Sequence, residues 1–345
     1  MLFHSLYASQ HGVDIEQMVC HLEEDLEIES FKRAWQSIVE RHAVLRTSFR
    51  WQNLGEPLQE VHRSVMVPIE ELDWRGMTPA ERDKRLQIFL ETDRKKGFDF
   101  GAAPLIRLAL LRLDELSYRC IWTFHHILMD GRSFPTVLRE VFALYEAFRS
   151  GRHMALDQPR PYRHYVQWLK QQKPSASEAF WRTTLEGFAA PTSLLLSPKN
   201  AEDGGGYAEQ ETQLCKQTTA ALQSLAEQEG FTFNTIVQGV WALLLSRYSG
   251  ESTIVFGNTR ACRRSAIEGA ETMVGLFINT LPLRLDVPPG AELLPWLREV
   301  RARHVLMRDH EHSSLVDIQG WSNVPRGIPL FESILVFENY SLNAA

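Results

Sequence analysis

Two adjacent histidines, followed at a fixed distance by Asp-Gly, stand in the stretch TFHHILMDGRSF, residues 123–134. Imidazole exchanges a proton near neutral pH more readily than any other side chain. His125 and His126 are therefore candidates for general acid–base chemistry, and Asp130 and Gly131 for the turn that holds them. By ordinary residue frequencies, a chance H-H-x3-D-G in a chain this long is expected well under about one time in a hundred. In the run from Tyr118 to His126 successive side chains alternate faces: Tyr118, Cys120, Trp122, Phe124 and His126 on one, Arg119, Ile121, Thr123 and His125 on the other. The two imidazoles cannot chelate one metal ion while both stay in a regular strand. The expectation is that one faces a cavity and the other the supporting structure. A strand end beside a glycine turn and a helix start is where α/β proteins place reactive groups.

The elements that must position this turn are legible on both sides of it. APLIRLALLRL and YRCIWTFHH read as two strands of a hairpin joined by the polar DELS turn. Helical period returns at Phe134, Val137, Leu138, Val141, Phe142 and Tyr145, with Ser133 the expected N-cap and Gly151 the stop. Upstream, Phe31, Ala34, Trp35, Ile38 and Val39 form the apolar stripe of another helix, with Glu27 and Glu29 at its positive end. Later, FNTIVQGVWALLLSRYSG is apolar nearly all round and predicts a buried helix stopped by Gly250. STIVFG and GLFINTLPLRL predict strands, the second confined to an edge or bulge by Pro282. A helix is expected over 292–307 and a strand in FESILVFENY. Alternating helical and strand periods throughout make this an α/β chain with mixed sheets. The linker-like stretches QQKPSASE and PKNAEDGGGY suggest an N-terminal lobe over 1–170, a linker region over 171–206 and a C-terminal lobe over 207–345.

Composition narrows the function classes. The 345 residues carry a net charge of −6, and Lys and Arg are scattered, so nothing recommends a nucleic acid partner. The four cysteines show no paired spacing for zinc or a disulfide framework, which suits free thiols in a reducing compartment. The opening MLFHSLYASQHGVD lacks the basic and apolar regions of a signal peptide, and no apolar run approaches the roughly 18 residues that cross a bilayer. The expectation is a cytoplasmic protein with no membrane contact, no bound cofactor and no metal.

HHILMDG resembles the HHxxxDG signature of the condensation domains of nonribosomal peptide synthetases, within the chloramphenicol acetyltransferase-like superfamily. RHAVLRTSF (41–49) is similar to the family's RHxxLRTxF at every fixed position. YRHYVQW (162–168) resembles YxDYxxW with His164 in place of aspartate, VGLFINTLPLR (274–284) resembles GxFxNTxxxR, and HEHSSL is a loose match to a sixth motif. Arg132 stands where the most similar subgroup often carries Trp. The resemblance runs along essentially the whole chain in family order. It implies two chloramphenicol acetyltransferase-like lobes in a V-shaped pseudo-dimer, with the active site in a tunnel between them. It also suggests that the chain is truncated at both ends, with an incomplete C-terminal lobe.

The implied reaction is amide formation. A donor aminoacyl or peptidyl thioester on one carrier protein is attacked by the α-amine of an acceptor on another, both held on phosphopantetheine, beside a neighbouring adenylation domain. The resemblance makes His126 the catalytic group. His125 is expected to brace the loop, and Gly131 to serve the turn or let substrate approach its N–H. Asp130 is expected to pair with Arg41 or Arg46 under the floor of the site. Asn279 lies by the channel in the family, or else is a turn residue; Tyr165 and Trp168, at helical spacing, are read as core. Two alternatives stay open: an epimerisation domain, which needs a further glutamate in its own motif, and a silent docking module, which usually loses the second histidine. Heterocyclisation domains replace both histidines and are excluded.

Overall fold

The computed structural model describes residues 12, 14–194, 209–264 and 266–338. It falls into two compact units. Among the described residues, the first comprises 12, 14–170 and 266–277, and the second 171–194, 209–264 and 278–338. The segment from Pro198 to Tyr207, read above as a linker, lies outside the described residues.

The first unit runs β1 (Ile15–Leu22), α1 (Ile28–Arg41), β2 (Thr47–Arg50), β3 (Leu58–Val61), β4 (Ile69–Asp73), α2 (Pro79–Lys96), β5 (Ile106–Asp114), β6 (Ser117–His125), α3 (Phe134–Arg149) and α4 (Arg163–Gln171). Its main sheet has the order β1-β6-β5-β4, antiparallel except for the parallel β4–β5 pair; β2 and β3 form a separate hairpin. The period-2 pattern of β6 separates two cores. Tyr118, Cys120, Trp122 and Phe124 join α1 and α3 in the large core, whereas Ile121 packs with Trp74, Leu86 and Leu111 on the other side. Trp122 and Phe124 are essentially unexposed. Trp122 meets Trp35 of α1 at 5.1 Å between ring centres, and Phe124 meets Phe134 of α3 at 5.0 Å. Truncating a buried aromatic of this kind costs about 3–5 kcal/mol. The Phe124–Phe134 contact thus closes both ends of the HHILMDG turn against one core.

α1 begins where Glu27 accepts from the Ser30 N–H, and buries the five apolar residues its period predicts. At α3 the local expectation fails. Ser133 has helical backbone and makes no side-chain cap bond; its hydroxyl is engaged elsewhere.

The second unit comprises α5 (Pro174–Thr184), α6 (Lys216–Gln228), α7 (Phe233–Ser249), β7 (Thr253–Arg260), β8 (Asn279–Asp286), α8 (Leu293–Leu306), α9 (Leu315–Trp321) and β9 (Ile334–Leu335). Residues 174–184, expected in a linker, are helical: Pro174 presets the first turn and Trp181 is buried in this unit's core. Among the described strands the order β8-β7-β9 leaves β8 at an edge, one of the two places Pro282 allows. α7 is capped by the reciprocal Thr232–Thr235 bonds and ends at left-handed Gly250. It is not buried all round: Val240, Leu244 and Tyr248 lie on an exposed face. No described helix is long and apolar enough to cross a membrane.

Candidate active site

The strand β6 ends at His125, so His126 opens the turn rather than closing the strand. The backbone holds both. The His125 N–H donates to the Leu105 carbonyl at 3.0 Å and the His126 N–H to the Asp14 carbonyl at 2.8 Å. Leu128 and Met129 then donate back to the carbonyls of His125 and His126.

The two imidazoles occupy different environments. His125 is 4% exposed and packs edge-on against Phe100 at 4.8 Å. Its Nδ1 accepts the Ile127 N–H at 3.1 Å, which places the ring proton on Nε2. Burial pushes its pKa down to about 4, with the neighbouring His126 charge acting in the same direction against Asp14. His125 is therefore neutral at pH 7 and occupied by the turn itself. His126 is partly exposed, and its buried Nδ1 has no hydrogen-bond partner among the described residues.

Asp130 is fully buried, yet neither of the arginines expected to anchor it does so. Arg41, the last residue of α1, donates to Glu140 of α3 at 3.0 Å and to the carbonyls of Leu156 and Asp157. Glu140 also receives His42 Nε2 at 2.7 Å. Burial alone would raise the Glu140 pKa, but His42 and Arg41 together hold it below the usual carboxylate range. Arg46 donates to the carbonyls of Glu40 and His62. The RHAVLRTSF segment is thus a structural clasp between α1, α3 and the β2–β3 hairpin.

Asp130 does hold backbone of the 275–277 segment. Its Oδ2 accepts the Phe277 N–H at 2.8 Å, and its own N–H donates to the Gly275 carbonyl at 3.2 Å. Gly131 and Arg132 form the turn closed by the Ser133 N–H on the Asp130 carbonyl at 2.9 Å, and Arg132 reaches Glu271 at 3.8 Å. The Tyr162 hydroxyl donates to the Leu276 carbonyl, and a Cβ on Gly275 would run into the Tyr162 ring. Tyr165 is buried against Phe277 at 4.3 Å between ring centres, core as expected, whereas Trp168 is only partly buried against the same cluster. Three sequence motifs far apart in the chain therefore meet at residues 130–133, 162–165 and 275–277.

Asn279 opens β8 in the second unit. Its amide group donates to the carbonyls of Glu311 (2.9 Å) and Ser313 (2.8 Å), tying the HEHSSL segment to the strand. Glu311 is itself held by Arg260 at 2.8 Å, both nearly fully buried. Arg260 also contacts His304 Nε2 at 3.0 Å, whose pKa is pushed down to about 3 by burial and then by the Arg260, Arg301 and Arg308 charges. This network carried no recognisable spacing in the sequence. Among the described residues, no group of three or more His, Cys, Asp and Glu is arranged to hold a metal ion.

In this mixed α/β chain one partly exposed histidine stands at a strand-end turn, where acid–base chemistry can use it. The condensation-domain family model matches residues 1–345, and the chain belongs to that family, whose members here are parts of nonribosomal peptide synthetases. Over 345 residues it is 44% identical to one of the linear gramicidin synthase polypeptides of Brevibacillus parabrevis, covering 99% of this chain and 4% of that protein. The starter condensation domain of rhizomide synthetase, solved with C8-CoA, is similar in fold at a TM-score of 0.79 and 20% identity, over 96% of this chain and 75% of that one. The X-domain from teicoplanin biosynthesis is similar at 0.76 and 20%, over 95% and 74%. The chain spans only 4–8% of the length of the curated synthases to which it is 43–45% identical.

Proposed function

We propose that this chain forms the amide bond between a donor aminoacyl or peptidyl thioester and the α-amine of an acceptor aminoacyl thioester. Each is carried on the phosphopantetheine arm of a carrier protein, within a multidomain synthetase that also holds an adenylation domain. The observation that carries the reading is the asymmetry of the two histidines: His125 is buried, neutral and bonded to its own turn, while His126 is partly exposed and uncommitted.

In this reading His126 meets the acceptor amine. An α-amino group has a pKa near 8, so at pH 7 roughly a tenth is already free amine and its deprotonation is worth only about 1.4 kcal/mol. No carboxylate backs His126 Nδ1 among the described residues, unlike the histidine of a Ser-His-Asp triad. Its larger contribution is to hold the amine in line with the thioester and to take the proton as the tetrahedral intermediate forms. Asp130 and Gly131 shape the turn, and Asn279 shapes the start of β8.

The test is a condensation assay with two loaded carrier proteins, product being read by mass spectrometry. His126→Ala is expected to cut amide formation by about two to four orders of magnitude, the scale of a general acid–base group. His125→Ala is expected to act on stability first. Inversion of the loaded amino acid without amide product would make the chain an epimerase instead. No turnover of either kind, with a folded protein, would make it a docking module.

A further inference from the structure

The Ser133 side chain is almost completely buried, and its hydroxyl makes a closed exchange with one distant residue. It donates to the Gly275 carbonyl at 3.0 Å, a proton shared with Asp130 Oδ1 at 3.3 Å, and it accepts the Gly275 N–H at 3.1 Å. These are both backbone groups of a residue 142 positions away. The hydroxyl takes no part in capping α3, although it sits where a cap would. A buried serine that forgoes its local role for both backbone groups of one glycine has been recruited to fix that glycine.

We propose that Ser133 is a positioning residue for amide formation, a role that rests on the condensation reading above. Its hydroxyl registers the 275–277 segment on the turn that carries His126. Asp130 grips that segment two residues further on, at the Phe277 N–H, and the Tyr162 hydroxyl holds the Leu276 carbonyl between them. Ser133 lies seven residues after His126 and three after Asp130, so one short turn carries both the reacting imidazole and the two side chains that hold the crossing segment. The 275–277 segment meets the turn at Asp130 and Ser133, and the turn is tied back to His126 where the Met129 N–H donates to its carbonyl at 3.3 Å, so a shift at Gly275 reaches His126 along the backbone of the turn. Ser133 itself touches no reacting atom.

The experiment compares Ser133→Thr with Ser133→Val, which have the same shape and differ in the hydroxyl, alongside Ser133→Ala. Two readouts are taken: amide hydrogen exchange of the peptide spanning Gly275 and Phe277, and kcat and KM for both loaded carrier proteins. In the valine and alanine variants, exchange is expected to speed by about tenfold and kcat to fall by about tenfold, the effect of one buried hydrogen bond of about 1.4 kcal/mol. KM is expected to stay within about twofold, and the threonine variant to recover most of both readouts. Faster exchange with wild-type kcat in the valine variant would overturn the role. So would a fall in kcat with unchanged exchange, or equal losses in threonine and valine. Wild-type protein that forms no amide would defeat the condensation reading itself, an outcome distinct from an active wild type whose valine variant turns over equally fast.

Discussion

Replacing Asp130 by alanine tests whether this carboxylate is structural. The side chain is fully buried, and its Oδ2 satisfies the Phe277 N–H at 2.8 Å. Removing it leaves that amide with no acceptor from this side chain and takes one acceptor from the Ser133 hydroxyl. A stranded buried donor costs about 1–3 kcal/mol, and the small cavity adds to it, so about 3 kcal/mol is the expected loss. For a unit of this size each kcal/mol moves the melting temperature by about 2–4 °C, which gives a fall of about 6–12 °C. Asp130→Asn keeps an oxygen of the same shape for the Phe277 N–H and loses the negative charge. It should therefore lose nearer to about 1 kcal/mol, or about 2–4 °C. Circular dichroism melting, with hydrogen exchange at Phe277, follows both variants, and activity is compared well below the melting range. The reasoning is refuted if the alanine variant melts like wild type yet makes no amide, because Asp130 would then act on the substrate.

Two further outcomes follow from buried groups. His125 and His304 have folded pKa values of about 4 and 3, below the ordinary value near 6.5, so between those limits the unfolded chain binds more protons than the folded one. Stability is fully present above about pH 6.5 and drains away as the pH falls towards 4 and 3, up to about 2 kcal/mol per histidine by pH 5. Urea midpoints measured from pH 7.5 to 5 should fall, and fall less in His125→Gln and His304→Gln; a flat profile contradicts the assignment. Glu311→Gln strands the Arg260 guanidinium and should cost about 3–5 kcal/mol, while the paired change Arg260→Met with Glu311→Leu costs less. A paired loss equal to the sum of the Arg260→Met and Glu311→Leu single losses, read from denaturant titrations, would mean the pair contributes no coupling.

The elements around the site were legible because their signals are local. Alternation along β6 put Trp122 and Phe124 on one face and Ile121 on the other, and the stripe from Phe134 placed the next helix, while His126 lies just past the strand's end, outside that alternation. The family motifs were equally legible, and the match over residues 1–345 bears out the family they indicate. The partners of the polar residues were not. Arg41 and Arg46 looked right for Asp130 by charge and fork geometry, yet one is spent on Glu140 and both on carbonyls. Asp130 and Ser133 bind instead the backbone of Gly275 and Phe277, more than 140 residues away. Every residue carries a backbone C=O, and all but proline an N–H, and those groups leave no mark in the side-chain alphabet. Sequence could therefore name the donors and acceptors that matter, but only the packed chain decided which anonymous backbone groups would meet them.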